Sequence, residues 1–454
     1  MDEKDIIIAQ LMQRIAELEA EIARLKKNSS NSSKPPSSDI VKPPKPAAKP
    51  KGKRRQKRKR GGQFGHRKHT RLAFAPERID QHVEYELPDA AGLEPLDDWR
   101  VVQQVELVDR PFVVTEHRAR RYRCRRTGTI VTAPLPTAVT AAGLLGPRLS
   151  ALVAYQKGAC HMSYTTIQTF LADVLGLAVS TGQLAKVVAK ASDALAGPYA
   201  QLAEALPAQP YVGSDETGHK DAGRKFWTWC FRAERFTMFK IDPSRSSAVL
   251  RAVLGETFGG VVSCDYFSAY RKYMADADAT VQFCLAHLIR EVRFLAEHTD
   301  PVLARWDVKL LGHLRKLFRT LHRGEKTTPA AFARAMDRIR REFLKAVRRP
   351  PGRREARTLA DRFRKHGGSY FTFLTTPGVA PTNNATEQAI RFAVIDRRIT
   401  QGTRGDVGQR WCERIWTLLA NCAQQGRSAF AFLLDSVNAH FHQLPPPSLL
   451  HVEL

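Results

Sequence analysis

The sequence predicts a multidomain protein of the α/β class, on three observations. Strand-like runs succeed one another between residues 210 and 265 with one helical stretch among them. Helical periodicity governs residues 147–197, 285–367 and 383–440, and residues 28–75 have a composition that supports no packed core. A length of 454 residues leaves room for about two to four domains.

Residues 1–27 read as a coiled-coil helix. Ile8, Ile15 and Ile22 recur at one heptad position and Leu11, Leu18 and Leu25 at the other, the combination that favours parallel two-stranded coils. An amphipathic helix packed on its own chain fits the same pattern. Three heptads are marginal alone, so the expected homodimer or higher assembly needs other surfaces as well. The run NSSNSSKPPSSD (28–39) then breaks the periodicity and opens a disordered basic linker over 28–75.

Between Lys42 and Arg71 there are fourteen Lys and Arg and no Asp or Glu, with Lys53, Arg54, Arg55, Lys57, Arg58, Lys59 and Arg60 in one run. A solubilising linker is the plain reading; a nucleic-acid-binding arm fits the composition better. Taking those fourteen charges from the formal +27 leaves +13 on the rest, so the folded part is basic too. A polyanionic partner accounts for both, and DNA is the first candidate.

Residues 76–140 are expected to form a small β-rich module, from VVQQVELV (101–108) and PFVVTEHRARRYRC (111–124). Residues 141–205 read as a helical DNA-binding domain of helix-turn-helix type. Ser163 opens one helix, Gly176 interrupts it, and Ser180 with Gln183 has the capping-box form ahead of LAKVVAKASDAL. Plain helical packing fits that stretch equally well. Seven cysteines (124, 160, 230, 264, 284, 412, 422) include no C-x-x-C pair, which argues against a disulfide framework or a Cys-rich zinc module and suits a reducing compartment. No apolar run approaches the ~20 residues of a membrane span, and MDEKDIIIAQ lacks the pattern of a secretory signal. A cytoplasmic, nucleoid-associated protein with no membrane partner is expected.

Residues 206–400 carry the informative pattern. PYVGSD (210–215), KFWTWCFRA (225–233) and RFTMFKID (235–242) read as strands, 246–256 as a helix, and GVVSCD (260–265) as a further strand. Three hairpin-like strands, a helix and a fourth strand describe the start of a ribonuclease-H-like core. Arg- and Lys-rich helical stretches follow at about 290–370, and 401–454 reads as a C-terminal helical element.

Two of these strands are read as ending in an aspartate, Asp215 and Asp265. Phosphodiester chemistry needs carboxylates converging on one point to hold a pair of Mg²⁺ ions about 3.5–4 Å apart. Glu387, near the first turn of a helix that Thr382 or Asn383 can cap, is the choice for a third acid, with Asn384 and Arg391 on its face. Acids at strand ends are also common turn residues, and Glu216, Asp221, Asp242, Asp276 and Asp396 remain competitors.

GSDETGHKDAGRKFWTWCF (213–231), CDYFSAYRKYM (264–274), QFCLAHLIREV (282–292) and PTNNATEQAIRFAVIDRRITQGTRG (381–405) together resemble the transposases of the insertion sequence 66 family. SSKPPSSD, RGGQFGHRKH and RWCERIWTLLANCAQQGRSAFAFLLD extend the likeness along essentially the whole chain. The resemblance implies a DDE-type enzyme with a ribonuclease-H-like core, in which Asp215, Asp265 and Glu387 bind two Mg²⁺ (or Mn²⁺) ions per site. The 122 positions separating Asp265 from Glu387 imply a helical insertion. Cys284 and His287 match a C-x-x-H marker of such transposases and are read as structural support near the site, in preference to a two-ligand zinc site. Many relatives carry a small zinc module after the basic linker; this chain keeps only Cys124 there, so no zinc is expected.

The implied partners are transposon ends, target DNA and small accessory proteins of the same element. Asn384 and Arg391 would assist the acids, and Arg397, Arg398 and Arg404 would bind phosphates. The implied activity is cleavage at the element's ends followed by attack of the freed 3′-hydroxyl on target DNA. A transposase-derived DNA-binding protein without catalysis, and a structure-specific nuclease on the same core, are the alternatives.

Overall fold

The computed structural model describes residues 7, 10–14, 73–85, 101–108, 111–296, 300–324 and 327–450. They fall into two compact units, Pro44–Glu116 in one and Met1–Pro43 with His117–Leu454 in the other. Ile7 and residues 10–14 are helical and exposed. The rest of the heptad pattern and the run from Lys53 to Arg60 lie outside the described residues.

In the unit Pro44–Glu116 the one regular piece among the described residues is a single 3-10 turn, Pro76–Arg78. The Gln103 amide closes the loop around it, accepting from Phe74 N–H at 2.7 Å and donating to Phe74 O at 3.1 Å. The strand expected at 101–108 does not form, and Val101, Val102, Val105, Leu107 and Val108 are exposed. A β-branched run makes a strand only where a partner strand and a face to bury are available, and neither is present among the described residues here. Of the second run only Arg121–Arg123 (β1) is a strand, paired antiparallel with Ile130–Thr132 (β2). The module expected over 76–140 is therefore divided between the two units.

In the larger unit, Thr137–Ala142 (α1), Pro147–Gly158 (α2), Tyr164–Leu175 (α3), Thr181–Ala194 (α4) and Ala196–Ala205 (α5) precede the sheet. Both expected N-caps form: Ser163 Oγ accepts from Thr166 N–H at 3.0 Å and Ser180 Oγ from Gln183 N–H at 3.2 Å. Gly176 ends α3 in the left-handed conformation. By length and composition Thr137–Gly158 is apolar enough to cross a membrane. Gly143, at φ 73°, breaks it into α1 and α2, and α2 packs against α4.

The sheet has five strands in the order β5-β4-β3-β6-β7. Tyr211–Asp221 (β3), Arg224–Arg232 (β4) and Thr237–Asp242 (β5) form an antiparallel meander. Val261–Cys264 (β6) and Thr280–Phe283 (β7) continue it in parallel on the other side of β3. Ser247–Leu254 (α6) crosses from β5 to β6, and Ser268–Asp276 (α7) from β6 to β7. β3 runs six residues past the expected end at 215, because Ala222 and Gly223, both at positive φ, make the two-residue turn that pairs HKD with RKF.

Leu285–Ala296 (α8), Pro301–Leu321 (α9), Pro329–Val347 (α10) and Arg354–His366 (α11) form the helical insertion after β7. Asn384–Thr400 (α12) then packs on β3 and β4, Asp406–Gln425 (α13) lies along β5, and Ala429–Phe441 (α14) returns to α2 and α4. One hydrophobic core consequently runs from Ala142 to Leu449. The boundaries expected at 205/206 and 400/401 do not separate compact units, since α13 and α14 close the helices and the sheet into one body.

Candidate active site

Asp215 is the fifth residue of β3, not its last. It stands two residues beyond Gly213, the last position at which β3 pairs with β6 (Gly213↔Ser263). The same register continued by two residues sets Asp265, just past β6, level with Asp215. Parallel neighbours at equal register point their side chains to one face. Asp265 Oδ1 accepts from Phe267 N–H at 2.9 Å, which fixes the carboxylate at the strand exit.

The residues following Asp265 anchor that exit. Tyr266 packs edge-on to Phe283 at 5.0 Å and lies under the guanidinium groups of Arg271 and Arg362. Arg362 in turn forms a two-bond ion pair with Glu291 at 2.7 Å, holding α11 against α8. Phe267 lies 3.9 Å beneath Arg245, which also lies over Trp227 at 4.4 Å.

Glu387 arrives in the first turn of α12, whose start is fastened to the strands carrying the aspartates. Asn383 Nδ2 donates to Ser214 O at 2.8 Å, and Asn383 N–H donates to Cys284 Sγ at 3.2 Å. Cys284 N–H donates to Cys264 O at 2.8 Å, next to Asp265. Asn383 is the N-cap residue, yet its side chain bonds the strand instead of its own helix. Glu387 Oε1 lies 3.4 Å from His287 Nδ1 and 3.5 Å from Arg290 Nη2.

The electrostatics match this convergence. Burial pushes the Asp215 carboxyl well above the ordinary carboxylate range, and the charges of Glu216, Asp265 and Glu387 push it further. Burial likewise raises Asp265, against the Phe267 N–H and the positive charges of Arg245 and Arg290. Glu216, on the opposite side of β3, is raised to about 7 by burial and by Asp265. It accepts from Arg245 at 2.7 and 2.9 Å and from Tyr270 at 2.6 Å. Burial and Arg290 hold His287 down at about 3, so it is neutral, and burial lifts the Cys284 thiol to about 11.

A half-buried group of carboxylates whose like charges raise one another calls for a cation. Glu387 Oε1 is buried without a hydrogen-bond partner among the described residues, and hard oxygen donors suit Mg²⁺ or Mn²⁺. The residues present fit such ions.

Residues 142–410 match the family model described as Transposase IS66 family. The chain belongs to that family. Residues 2–72 match a family of unknown function, and no curated protein matches the chain.

Other residues of the transposase singled out from the sequence fall in different places. Asn384 and Arg391 are exposed on α12, and the neighbouring Asn383 makes the strand contact. Arg398 and Arg404 are exposed, whereas Arg397 is half-buried. Of the competing acids, Asp396 is a buried tie, bonded to His161 at 2.8 Å and to Trp416 Nε1 at 3.0 Å. Asp221 accepts from Thr403 Oγ1 at 2.8 Å and Gly405 N–H at 2.7 Å, docking the QGTRG loop on β3. Sequence reasoning missed Arg245 and Arg290. Arg245 lies 29 positions from Glu216 and carries no local signal, while Arg290 sits one helical turn after His287 in the HLIR segment.

Proposed function

We propose that this transposase is a DDE-type enzyme with a ribonuclease-H-like core, which cuts the ends of an insertion sequence and joins them to target DNA. The carrying observation is that a strand, a strand exit and a helix start, from three separate parts of the chain, deliver Asp215, Asp265 and Glu387 within reach of one another's charge. The order β5-β4-β3-β6-β7, an antiparallel meander extended by parallel strands, supports the ribonuclease-H-like reading.

Asp215, Asp265 and Glu387 would hold two Mg²⁺ (or Mn²⁺) ions, which when bound supply activation of the attacking oxygen and stabilisation of the leaving one. The protein's own part is placement. Asn383 and Cys284 fix the helix start that presents Glu387. Tyr266 and Phe267 fix the exit that presents Asp265, and Arg245 neutralises Glu216 so that one less carboxylate competes for cations. Arg290 flanks Glu387 and is available to a phosphate oxygen once the carboxylate is engaged elsewhere. Water attacks first, freeing a 3′-hydroxyl. That hydroxyl then forms a bond to a target phosphorus as a target P–O bond breaks, so no protein nucleophile is needed.

DNA contact is assigned to the 42–71 arm, to Arg397, Arg398 and Arg404, and to a cleft of about 420 Å³ lined by Arg341, Leu344, Lys345, Arg348 and Arg349 at the end of α10. Helices α1–α5 are assigned to end recognition, and residues 1–27 to self-association.

The test is Mg²⁺-dependent cleavage of DNA bearing the element's ends. Asp215→Asn, Asp265→Asn and Glu387→Gln should each lower the rate by about 10³-fold or more, the equivalent of several kcal/mol of transition-state stabilisation. Wild-type rates in any of the three would remove that residue from the site. Joining of cut ends to a plasmid separates a transposase from a nuclease.

A further inference from the structure

Two helix starts meet beside the proposed magnesium site, and they bring together donors of a different kind. Cys284 immediately precedes α8, His287 lies one turn into it, and Glu387 lies in the first turn of α12. Their ligand atoms all lie within 4.8 Å of one another. The same three residues form the single group of this kind among the described residues. Cys284 and His287 at i and i+3 share a helix face, while the third ligand comes from a hundred residues away.

Two of the three donors lack hydrogen-bond partners. His287 Nδ1 and Glu387 Oε1 are both buried with none among the described residues. The sulfur receives the Asn383 N–H and backbone N–H groups of Ala286 and His287. Such an arrangement at a helix start favours a thiolate once a cation is present to replace its proton.

We propose that Cys284, His287 and Glu387 form a binding site for a soft divalent cation of the zinc class, and that a zinc ion there withdraws Glu387 from the magnesium pair. Thiolate and imidazole donors select zinc over magnesium. Ligands of a tetrahedral zinc stand about 3.5 Å apart, so the side chains close by roughly 1 Å, and water takes the fourth position. On binding, the S–H bond of Cys284 breaks, a sulfur–metal bond forms, and one proton passes to solvent. His287 binds as the neutral ring and Glu387 as the carboxylate. Zinc is thereby an inhibitor of the magnesium-dependent reaction. That consequence rests on the role proposed for Glu387, whereas the binding itself does not.

The experiment uses the metal-free full chain and cobalt(II) as the spectroscopic probe. Wild type should develop a near-ultraviolet thiolate-to-cobalt band and the visible bands of tetrahedral cobalt, both abolished by one equivalent of zinc. Cys284→Ser, which keeps an acceptor for the Asn383 N–H, should lose the thiolate band; Cys124→Ser should retain it. His287→Gln should weaken cobalt binding on the order of 10–100-fold. In end cleavage with Mg²⁺, each protein compared with its own zinc-free rate, Cys284→Ser should raise the half-inhibiting zinc concentration on the order of 10–100-fold. A thiolate band that survives in Cys284→Ser, or none in wild type at saturating cobalt, overturns the site. Unchanged zinc sensitivity in Cys284→Ser overturns the inhibition. Absence of any Mg²⁺-dependent cleavage would count against the catalytic reading and leave the cobalt spectra to decide the site alone.

Discussion

Gly213 is set by what stands opposite it. A Cβ there would lie 2.1 Å from Thr386 Oγ1 and 2.9 Å from Asn383 Oδ1, so any side chain would lift the start of α12 off β3 and carry Glu387 with it. Gly213→Ala should cost about 1–3 kcal/mol in denaturant unfolding and most of the cleavage activity. Adding Thr386→Ala removes the nearest clashing atom and should recover part of both; no recovery would locate the strain elsewhere. Asp307 is a second single-residue case. It is fully buried in α9, and neither carboxylate oxygen has a partner among the described residues. Burial, with Glu291 adding to it, raises its pKa to about 7. The folded protein therefore keeps a proton that the unfolded chain releases above about pH 4, and stability falls as pH climbs from about 4 to 7. Asp307→Asn removes that loss. Its unfolding free energy should exceed wild type by on the order of 4 kcal/mol at pH 8, the gap closing near pH 4. A gap independent of pH would contradict the assignment.

At the scale of elements, α13 solves the edge problem of the sheet. An edge strand presents unpaired N–H groups at alternate residues, and on β5 these are Thr237, Phe239 and Ile241. Asn421 Oδ1 accepts from Thr237 N–H at 3.2 Å, Thr417 Oγ1 from Phe239 N–H at 3.1 Å, and Glu413 Oε1 from Ile241 N–H at 2.6 Å. Positions 413, 417 and 421 are i, i+4 and i+8 on one helix face, whose rise of about 6 Å per step matches the two-residue step of a strand. Asn421 Nδ2 also donates to Thr237 O at 2.6 Å. Thr417→Val and Asn421→Leu should each cost about 1–3 kcal/mol by leaving a buried backbone donor unpaired, while Thr417→Ser stays near wild type. Equal stability of Thr417→Val and Thr417→Ser in thermal melts would show that shape, not the bond, holds α13 in place.

For the whole molecule the governing quantity is charge. The formal +27 divides into fourteen positive charges between Lys42 and Arg71 and +13 on the remainder. Counterion release makes affinity for DNA fall with salt at a slope of about 0.9 per phosphate neutralised. Deleting residues 42–71 should weaken binding and flatten that slope by several units, with the basic faces of α10 and α12 keeping a residual salt dependence. An unchanged slope in titrations across salt concentrations would take the arm out of the interface.

By itself the sequence determined the local features. Ser163, Ser180 and Gly176 mark helix ends because caps act within one turn, and the strands from β3 to β6 follow from apolar runs broken by turn residues. The motifs around Asp215, Asp265 and Glu387 were legible for the same reason, as short stretches of fixed composition. Tertiary structure alone decided the rest. Val101 to Val108 is rich in β-branched residues like a strand but stays exposed, with no partner strand beside it among the described residues. Asp215 lies mid-strand because the Ala222–Gly223 turn extends the hairpin. Glu216 and Asp215 are adjacent in the chain and sit on opposite faces of β3, so Arg245 and Tyr270 hold one while the acids beyond β6 and on α12 surround the other. Cys284, His287 and Glu387 become neighbours because Asn383 N–H on Cys284 Sγ and Leu285 N–H on Pro381 O fasten one helix start to the other. Cap and strand signals are short-range and repeat with the period of the backbone. Which groups meet across a hundred residues depends on packing and burial, which the order of residues does not express locally.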